Sequence, residues 1–395
     1  MIARIIVPIL LLTVLPYLYV DLRYLRRRHC KWWKRVLWWL PCVGMVAYSI
    51  IMASVKGFAP ANASVTNWYL LLLGLLVVPM FVFMLSSLIG LGICKLIRSK
   101  NNWGNLVGLF LIIAIWYIVI YGSTLGFSTV VVRHVEYSSP QLPKAFDGYR
   151  IVHISDFHIG TYDDSRKHIL QKAVDSINAQ KADMVVFTGD LQNREPHELY
   201  PCASLLSSIK AKDGVYSVMG NHDYADYIKA DDIKRAANLR ETQRMERSFG
   251  WHLLLNDHAT ITRDTSHIII AGMENDGNGK HFPQKGDIKK TLNGVSDHDF
   301  IIMLEHDPTS WRRKILPQSN AQLTLSGHTH ATQFKLFGWS LASMIYTEWG
   351  GMYYDNERAI NVSTGLGAFL PFRFGVPGEV VVITLKASPQ PSPKR

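Results

Sequence analysis

The sequence predicts an α/β domain carried behind a membrane region of about four helices. Three observations predict it. Four apolar stretches of bilayer-spanning length precede residue 127. Beyond it, short β-branched runs alternate with helix-period segments. Several of those runs stop abruptly at Asp, Asn or His. The organising stretch is IVHISDFHIG, where strand-type Ile151, Val152 and Ile154 give way to Asp156 and His158. Polar groups at the carboxyl end of a buried strand face the crevice where α/β domains bind ligands.

Charge separates the two regions. Of the 42 Lys/Arg and 31 Asp/Glu in 395 residues, 12 and one lie in residues 1–127. The remaining 30 and 30 balance, so the net charge of +11 belongs to the apolar part. A nucleic-acid surface is excluded, and the excess cations become a topology signal. Cys30, Cys42 and Cys94 fall in the membrane part and Cys202 stands alone, so no disulfide or CxxC metal motif is available to the second region.

The apolar segments run from Ile2 to Val20, Val36 to Val55, Tyr69 to Ile93 and Leu106 to Tyr121. In the first, the positive charges follow the apolar run, which predicts a retained helix rather than a cleaved signal peptide. Arg23, Arg26, Arg27, Arg28, Lys31, Lys34 and Arg35 separate the first two segments, and Lys95, Arg98 and Lys100 the last two. The loop between carries only Lys56. The positive-inside rule makes the basic loops cytoplasmic and puts the region after the fourth helix outside, in the inner membrane of a cell. Trp32, Trp33, Trp38, Trp39, Trp68 and Trp103 sit near segment ends, as interfacial aromatics do. No ionisable residue occupies a mid-membrane position, so an anchor is expected rather than a transporter.

From about Phe127 the pattern becomes TVVVRHVEY, an opening strand, then the LPKAFDGYR turn. Apolar positions Ile169, Leu170, Ala173, Val174 and Ile177 give a helix over Arg166–Ala179. Strand Met184–Phe187 ends in Gly189-Asp190, and a helical run Pro201–Lys210 leads to strand Val215–Val218, which ends in GNHD. Asp226–Phe249 is charged and reads as mostly helical, followed by the strands HATITR and HIIIAGM. Strand Phe300–Leu304 ends at His306 and strand Leu323–Leu325 at His328 and His330. Two aromatic loops, FKLFGW and GLGAFLPFRFG, precede a closing strand Val380–Leu385 and a Pro/Ser-rich tail expected to be disordered. The organisation expected is 1–126 anchor, 127–387 catalytic domain and 388–395 tail.

Five strands thus end in metal-competent groups, and turn chemistry asks for no such run of histidines. Nitrogen and oxygen donors without thiolate suit Mn, Fe, Zn or Ni. DFH, GD, GNHD, an isolated HDP after a strand, and GHTH, in that order, resemble the calcineurin-like metallophosphoesterases, in their membrane-associated branch. The resemblance covers about Phe127–Lys386. It implies a four-layer sandwich, two mixed sheets flanked by helices, holding two divalent cations. One would be bound by Asp156, His158 and His330, the other by Asn221, His306 and His328, with Asp190 bridging. His222 would face the scissile phosphate, with Asp223 fixing its ring, and Arg373 is a candidate phosphate contact. His153, His168, His252, His258 and His267 lack the strand-end context and read as surface or edge histidines.

The sequence departs from the branch at three places. Phe157 replaces the usual Leu, Ala331-Thr332 replace two glycines before Gln333, and Ser363-Thr364 replace a Ser-Arg pair. The function expected is a metal-dependent hydrolase, manganese among its candidate metals, in which hydroxide bridging the cations attacks phosphodiesters of lipid-linked or envelope substrates. Loops around Phe334–Trp339 and Ala368–Phe374 are expected to lean on the bilayer. Pyrophosphate cleavage of nucleotide-linked lipids, needing the opposite orientation, and a non-catalytic membrane sensor are the alternatives. No obligatory protein partner is evident.

Overall fold

The computed structural model describes residues 2–388, except 56–59, 61, 62, 225, 226, 229, 280 and 281. Lys56 of the expected outer loop, and the tail after Ser388, lie outside the described residues. The chain separates into two compact units, Met1–Thr124 and Leu125–Arg395.

Among the described residues, four helices are long and apolar enough to cross a membrane: Ile6–Leu25, Trp32–Ser54, Ser64–Ile97 and Trp103–Gly126. The third carries a π-turn at Leu73–Val77, immediately before Pro79, whose missing N–H disturbs the helical ladder there. Its Gly90 lies against Gly104 of the fourth helix, so close that a Cβ on either would meet the other's backbone. Polar groups within the bundle satisfy one another: Ser87 Oγ lies 2.8 Å from Tyr19 Oη, 2.7 Å from Tyr24 Oη and 2.6 Å from Asn105 Oδ1. Asp21 pairs with Arg35 through two 2.7 Å contacts at the helix ends.

The second unit is built on two six-stranded sheets. The first has the order β1 (Val130–Ser139), β14 (Gly378–Ala387), β2 (Arg150–Ile154), β3 (Met184–Phe187), β4 (Val215–Ser217), β5 (His252–Leu253). The second runs β12 (Gly351–Asp355), β13 (Arg358–Val362), β9 (Leu323–Ser326), β8 (Ile301–Leu304), β7 (Ser266–Gly272), β6 (Asp257–Arg263). Both are mixed, with β2, β3 and β4 parallel in one and β7, β8, β9 and β13 parallel in the other. A hairpin of β10 (Lys335–Leu336) and β11 (Trp339–Ser340) stands apart.

Alternation along these strands makes the layers. Ile151, Met184, Val186, Ile270, Ile302 and Leu325 share one core between the sheets. Val152, Ile154, Val185 and Phe187 turn outward onto Ile169, Leu170, Val174 and Ile177 of helix Lys167–Asn178. Ile301 and Met303 turn the other way onto Trp311 and Ile315. A strand covered on both faces reads as an unbroken apolar run, as MVVF and IIML do.

Several local elements differ from those the sequence predicts. The helix expected over Pro201–Lys210 is confined to one short turn, Ala203–Leu206, which follows a 3₁₀ segment, Pro196–Cys202, that contains Pro201. The charged segment is helical over Asp232–Ser248. Strands β12 and β13 were not expected. His153 is neither surface nor edge: it is fully buried between the sheets, bonded to Asn361 Oδ1 at 2.9 Å and Thr188 Oγ1 at 3.0 Å. Burial drives its imidazole down to about 4, so it is neutral.

Candidate metal centre

The strand ends converge. Leaving β2, β3 and β9, the chain turns through left-handed backbone at Asp156 (φ 54°), His158 (48°), Asp190 (59°), His328 (72°) and His330 (48°). Non-glycine residues rarely adopt that conformation, and clusters of it mark sites where geometry overrides local preference. Glycines make the close approaches: a Cβ on Gly220 would lie 2.3 Å from Asp190 Oδ1, and one on Gly365 2.7 Å from Asp156 Cβ.

Two donor groups form around one shared carboxylate. Asp156, His158, Asp190 and His330 make one, and Asp190, His306 and His328 the other. In the first, His158 Nε2 and His330 Nε2 face each other at 3.1 Å, with Asp156 Oδ1 3.3 Å from His330 Nε2. In the second, Asn221 Oδ1 lies 3.1 Å from His306 Nε2 and 2.8 Å from His328 Nδ1. Asp190 Oδ2 reaches into both, 3.5 Å from His158 Nε2 and 3.2 Å from His306 Nε2.

The outer hydrogen bonds fix which nitrogen each ring offers. His306 Nδ1 donates to the Thr188 carbonyl at 2.7 Å, and His158 Nδ1 to Asn193 Oδ1 at 2.8 Å. Each therefore turns its Nε2 lone pair inward when neutral. Asn221 donates its amide to Tyr227 Oη at 2.7 Å, leaving its carbonyl oxygen inward. His328 is reversed: Nδ1 faces the centre, while Nε2 meets Tyr346 Oη at 3.3 Å and Asp307 Oδ2 at 3.8 Å. Lone pairs converging from Asp, Asn and the neutral form of His fit a pair of divalent cations sharing one carboxylate.

The electrostatics agree. Burial, with His222 next, drives His158 down to about 3, and burial with His158 holds His330 well below its ordinary range. Both rings are therefore neutral and able to offer a lone pair. Burial also pushes Asp156 up to about 7. Burial acts to raise Asp190 as well, but His306 beside it overrides this and holds the carboxyl well below 3.8. His306 in turn rises to about 10 against the effect of burial, pulled by Asp190 and Asp156. The pocket therefore draws positive charge to its middle.

Residues 149–332 match the family described as "Calcineurin-like phosphoesterase", and residues 3–127 the one described as "Probable Calcineurin-like phosphoesterase, transmembrane domain". A Bacillus subtilis (strain 168) protein, "Uncharacterized metallophosphoesterase YkuE", is 32% identical over 259 residues, which are 63% of this chain and 83% of that protein. The chain belongs to the calcineurin-like phosphoesterase family. That is a family of metal-dependent phosphoric ester hydrolases, and the transmembrane match makes this member a multi-pass membrane protein. A Danio rerio "Transmembrane protein with metallophosphoesterase domain" is 30% identical over 277 residues, 68% of this chain, though the chain spans only 60% of that relative's length. "UDP-2,3-diacylglucosamine pyrophosphatase LpxG" of Chlamydia trachomatis serovar D is 27% identical over 294 residues, 61% of this chain and 86% of that protein.

Around this donor cluster, two expected roles are corrected. Asp223 does not fix the His222 ring. It is buried, and its carboxylate gathers the backbone N–H groups of Asp190 (2.8 Å), Leu191 (3.0 Å), Gln192 (3.2 Å) and Gly220 (2.9 Å), tying the GD and GNHD loops together. The ring of His222 is held instead by the Asn193 carbonyl, 2.7 Å from its Nδ1. Arg373 does not reach a phosphate face. Its guanidinium is fully buried and donates to the carbonyls of Thr364, Gly365, Gly367, Val376 and Pro377.

The unusual Ala331 and Thr332 now have a physical meaning. Both adopt left-handed backbone, φ 47° and 52°, at the two positions where the resemblance implied glycine. A Cβ there costs roughly 1 kcal/mol per residue. Of the two aromatic loops, GLGAFLPFRFG is turned inward: Leu366 and Ala368 are buried and Phe369 lies 5.8 Å from the His222 ring. The segment around Phe337 is exposed. Sequence reasoning missed Asn193, Tyr227 and Tyr346, which touch the site from loops without any spacing signature.

Proposed function

We propose that this chain is a membrane-anchored phosphoesterase that uses two divalent metal ions to hydrolyse phosphodiesters of lipid-linked or envelope substrates. The proposed ligands are Asp156, His158 and His330 on one ion, Asn221, His306 and His328 on the other, with Asp190 shared. The observation that carries the reading is the sharing of Asp190 Oδ2 between two converging donor groups. Two such cations, when bound, offer Lewis-acid charge for the phosphoryl oxygens and activate water near neutral pH.

The chain's own groups do the rest. With Nδ1–H engaged by the Asn193 carbonyl, His222 has its Nε2 free to meet an ester oxygen and to exchange a proton there. The His222 backbone N–H donates to Asp190 Oδ1 at 2.8 Å, so ring and bridging carboxylate keep one relative position. A non-catalytic sensor is disfavoured because no donor is missing. The catalytic unit is assigned to the non-cytoplasmic side from the basic loops before it.

A second reading, pyrophosphate cleavage of a nucleotide-linked lipid, is favoured by the relatives named as UDP-2,3-diacylglucosamine pyrophosphatases. It places the domain in the cytoplasm. Purified, manganese-loaded protein should be given a simple monoester, a simple diester, phospholipids in detergent and a UDP-linked diacyl sugar. Preferential turnover of diesters supports the first reading, and preferential cleavage of the UDP compound replaces it with the second. Cytosolic activity of a carboxyl-terminal reporter would overturn the assigned side.

A further inference from the structure

Beyond Gly126, nine large apolar side chains are exposed among the described residues, and six fall in one stretch of ten. They are Leu336, Phe337, Trp339, Leu341, Met344 and Ile345, with Phe337 99% exposed, Met344 75% and Ile345 67%. The stretch is a built element. Lys335 pairs with Ser340 and Leu336 with Trp339 across a two-residue turn, Phe337-Gly338. Both turn residues have positive φ, 50° and 82°, a geometry that favours Asn-Gly. An aromatic residue at the first of these positions is strained, and full exposure denies it any compensating burial. Fold stability gives no reason for Phe337.

The same stretch is joined to the metal centre at both ends. The chain leaves the donor cluster at His330, forms the hairpin and the turn Leu341–Met344, and returns at Tyr346, whose hydroxyl is 3.3 Å from His328 Nε2. From Phe334 to Tyr346 it carries one charge, Lys335, and no acidic residue. A convex, apolar, Trp-bearing tip with a cationic flank matches the boundary between acyl chains and lipid headgroups. A bilayer is a fixed partner of this chain, since only three residues separate the last candidate span, ending at Gly126, from β1 at Val130.

We propose that the Leu336–Ile345 hairpin inserts into the lipid interface and sets the metal centre at headgroup depth, so that esters are taken from the membrane plane. Only the taking of esters rests on the function proposed above. The full-length protein, with Cys30 and Cys94 replaced by Ser, is to be labelled with an environment-sensitive fluorophore at Phe337→Cys or, as a control, at Ile233→Cys. It is then reconstituted in phosphatidylcholine–phosphatidylglycerol vesicles with or without nitroxide-bearing lipids. The 337 probe should emit to the blue of the 233 probe and be quenched roughly twofold or more by the nitroxide, as burial among acyl chains requires. Water-like emission overturns the proposal. Blue emission without quenching also overturns it, since protein then covers the tip, as a second copy of the chain would. A Phe337→Asp/Trp339→Asp variant should raise KM for a vesicle-borne ester about tenfold, a difference of about 1.4 kcal/mol, and leave a water-soluble ester unaffected. If wild-type protein cleaves neither ester, the proposed function fails, and the quenching result still decides the insertion.

Discussion

His222 rests against Tyr227, ring centroids 4.3 Å apart and planes inclined by 25°, while the Tyr227 hydroxyl accepts the amide of Asn221 at 2.7 Å. One phenol thus orients a proposed metal ligand and the proposed acid–base residue together. Tyr227→Phe keeps the stack and loses the bond to Asn221, so affinity for the second metal should fall roughly tenfold with turnover at saturating metal nearly unchanged. Tyr227→Leu also loses the stack and should lower turnover at saturating metal. Metal titrations followed by activity separate the two, and equal behaviour of Phe and Leu would refute the division of roles.

For His222→Ala, bound metal should remain near two per chain while turnover falls about 100-fold or more. Elemental analysis beside kinetics on one sample tests it. Full activity with metal bound would remove His222 from the chemistry.

Asp190→Asn should lose both metals together, because Oδ2 belongs to both donor groups. Retention of one metal at full occupancy would contradict the shared position. His306→Ala, by contrast, should empty only the second site.

Arg373→Lys should unfold the protein rather than weaken substrate binding. A lysine cannot reach five carbonyls from one buried position, and each buried carbonyl left unpaired costs about 1–3 kcal/mol. Thermal melts should fall sharply, and KM in any folded fraction should match wild type. A raised KM with an unchanged melt would return Arg373 to the substrate.

Glu246 gives a pH signature away from the metals. It is fully buried on helix Asp232–Ser248, and burial, with Asp223 adding to it, raises its carboxyl from 4.5 to about 8. Below pH 4.5 the group is protonated folded or unfolded and contributes nothing. Between 4.5 and 8 only the unfolded chain ionises, so stability is lost as pH rises, by an amount on the order of a few kcal/mol at pH 8. Glu246→Gln removes that loss. Its melting temperature should exceed wild type by a margin that grows from pH 5 to pH 8, and a constant margin would exclude the titration.

Much of the architecture was legible because period and punctuation agreed. MVVF and IIML are short, apolar and stopped by polar residues, so strand, end and facing crevice could be read together. The proposed ligands were legible for the same reason, each following such a stop. What escaped depends on distance along the chain. Asn193 lies 35 residues from His158, and Arg373 sits in a loop whose inward turn is set by carbonyls at Thr364, Gly365 and Gly367. A charged side chain near a phosphate site reads as a ligand until its partners are known. His153 misled in the opposite sense, because its partner Asn361 comes from a strand of the other sheet.

The order of the first sheet bears on how this protein is made. Strand β14, the last of the fourteen described strands to leave the ribosome, lies between β1 and β2, the two earliest, in ten-residue register with one and four-residue register with the other. Until Gly378–Ala387 is delivered, two early strands stand with unmatched edges, the condition that invites aggregation. The first sheet therefore cannot close before β14 is made, and a message cut short before Gly378 yields a chain with its apolar helices in place and β1 and β2 unjoined.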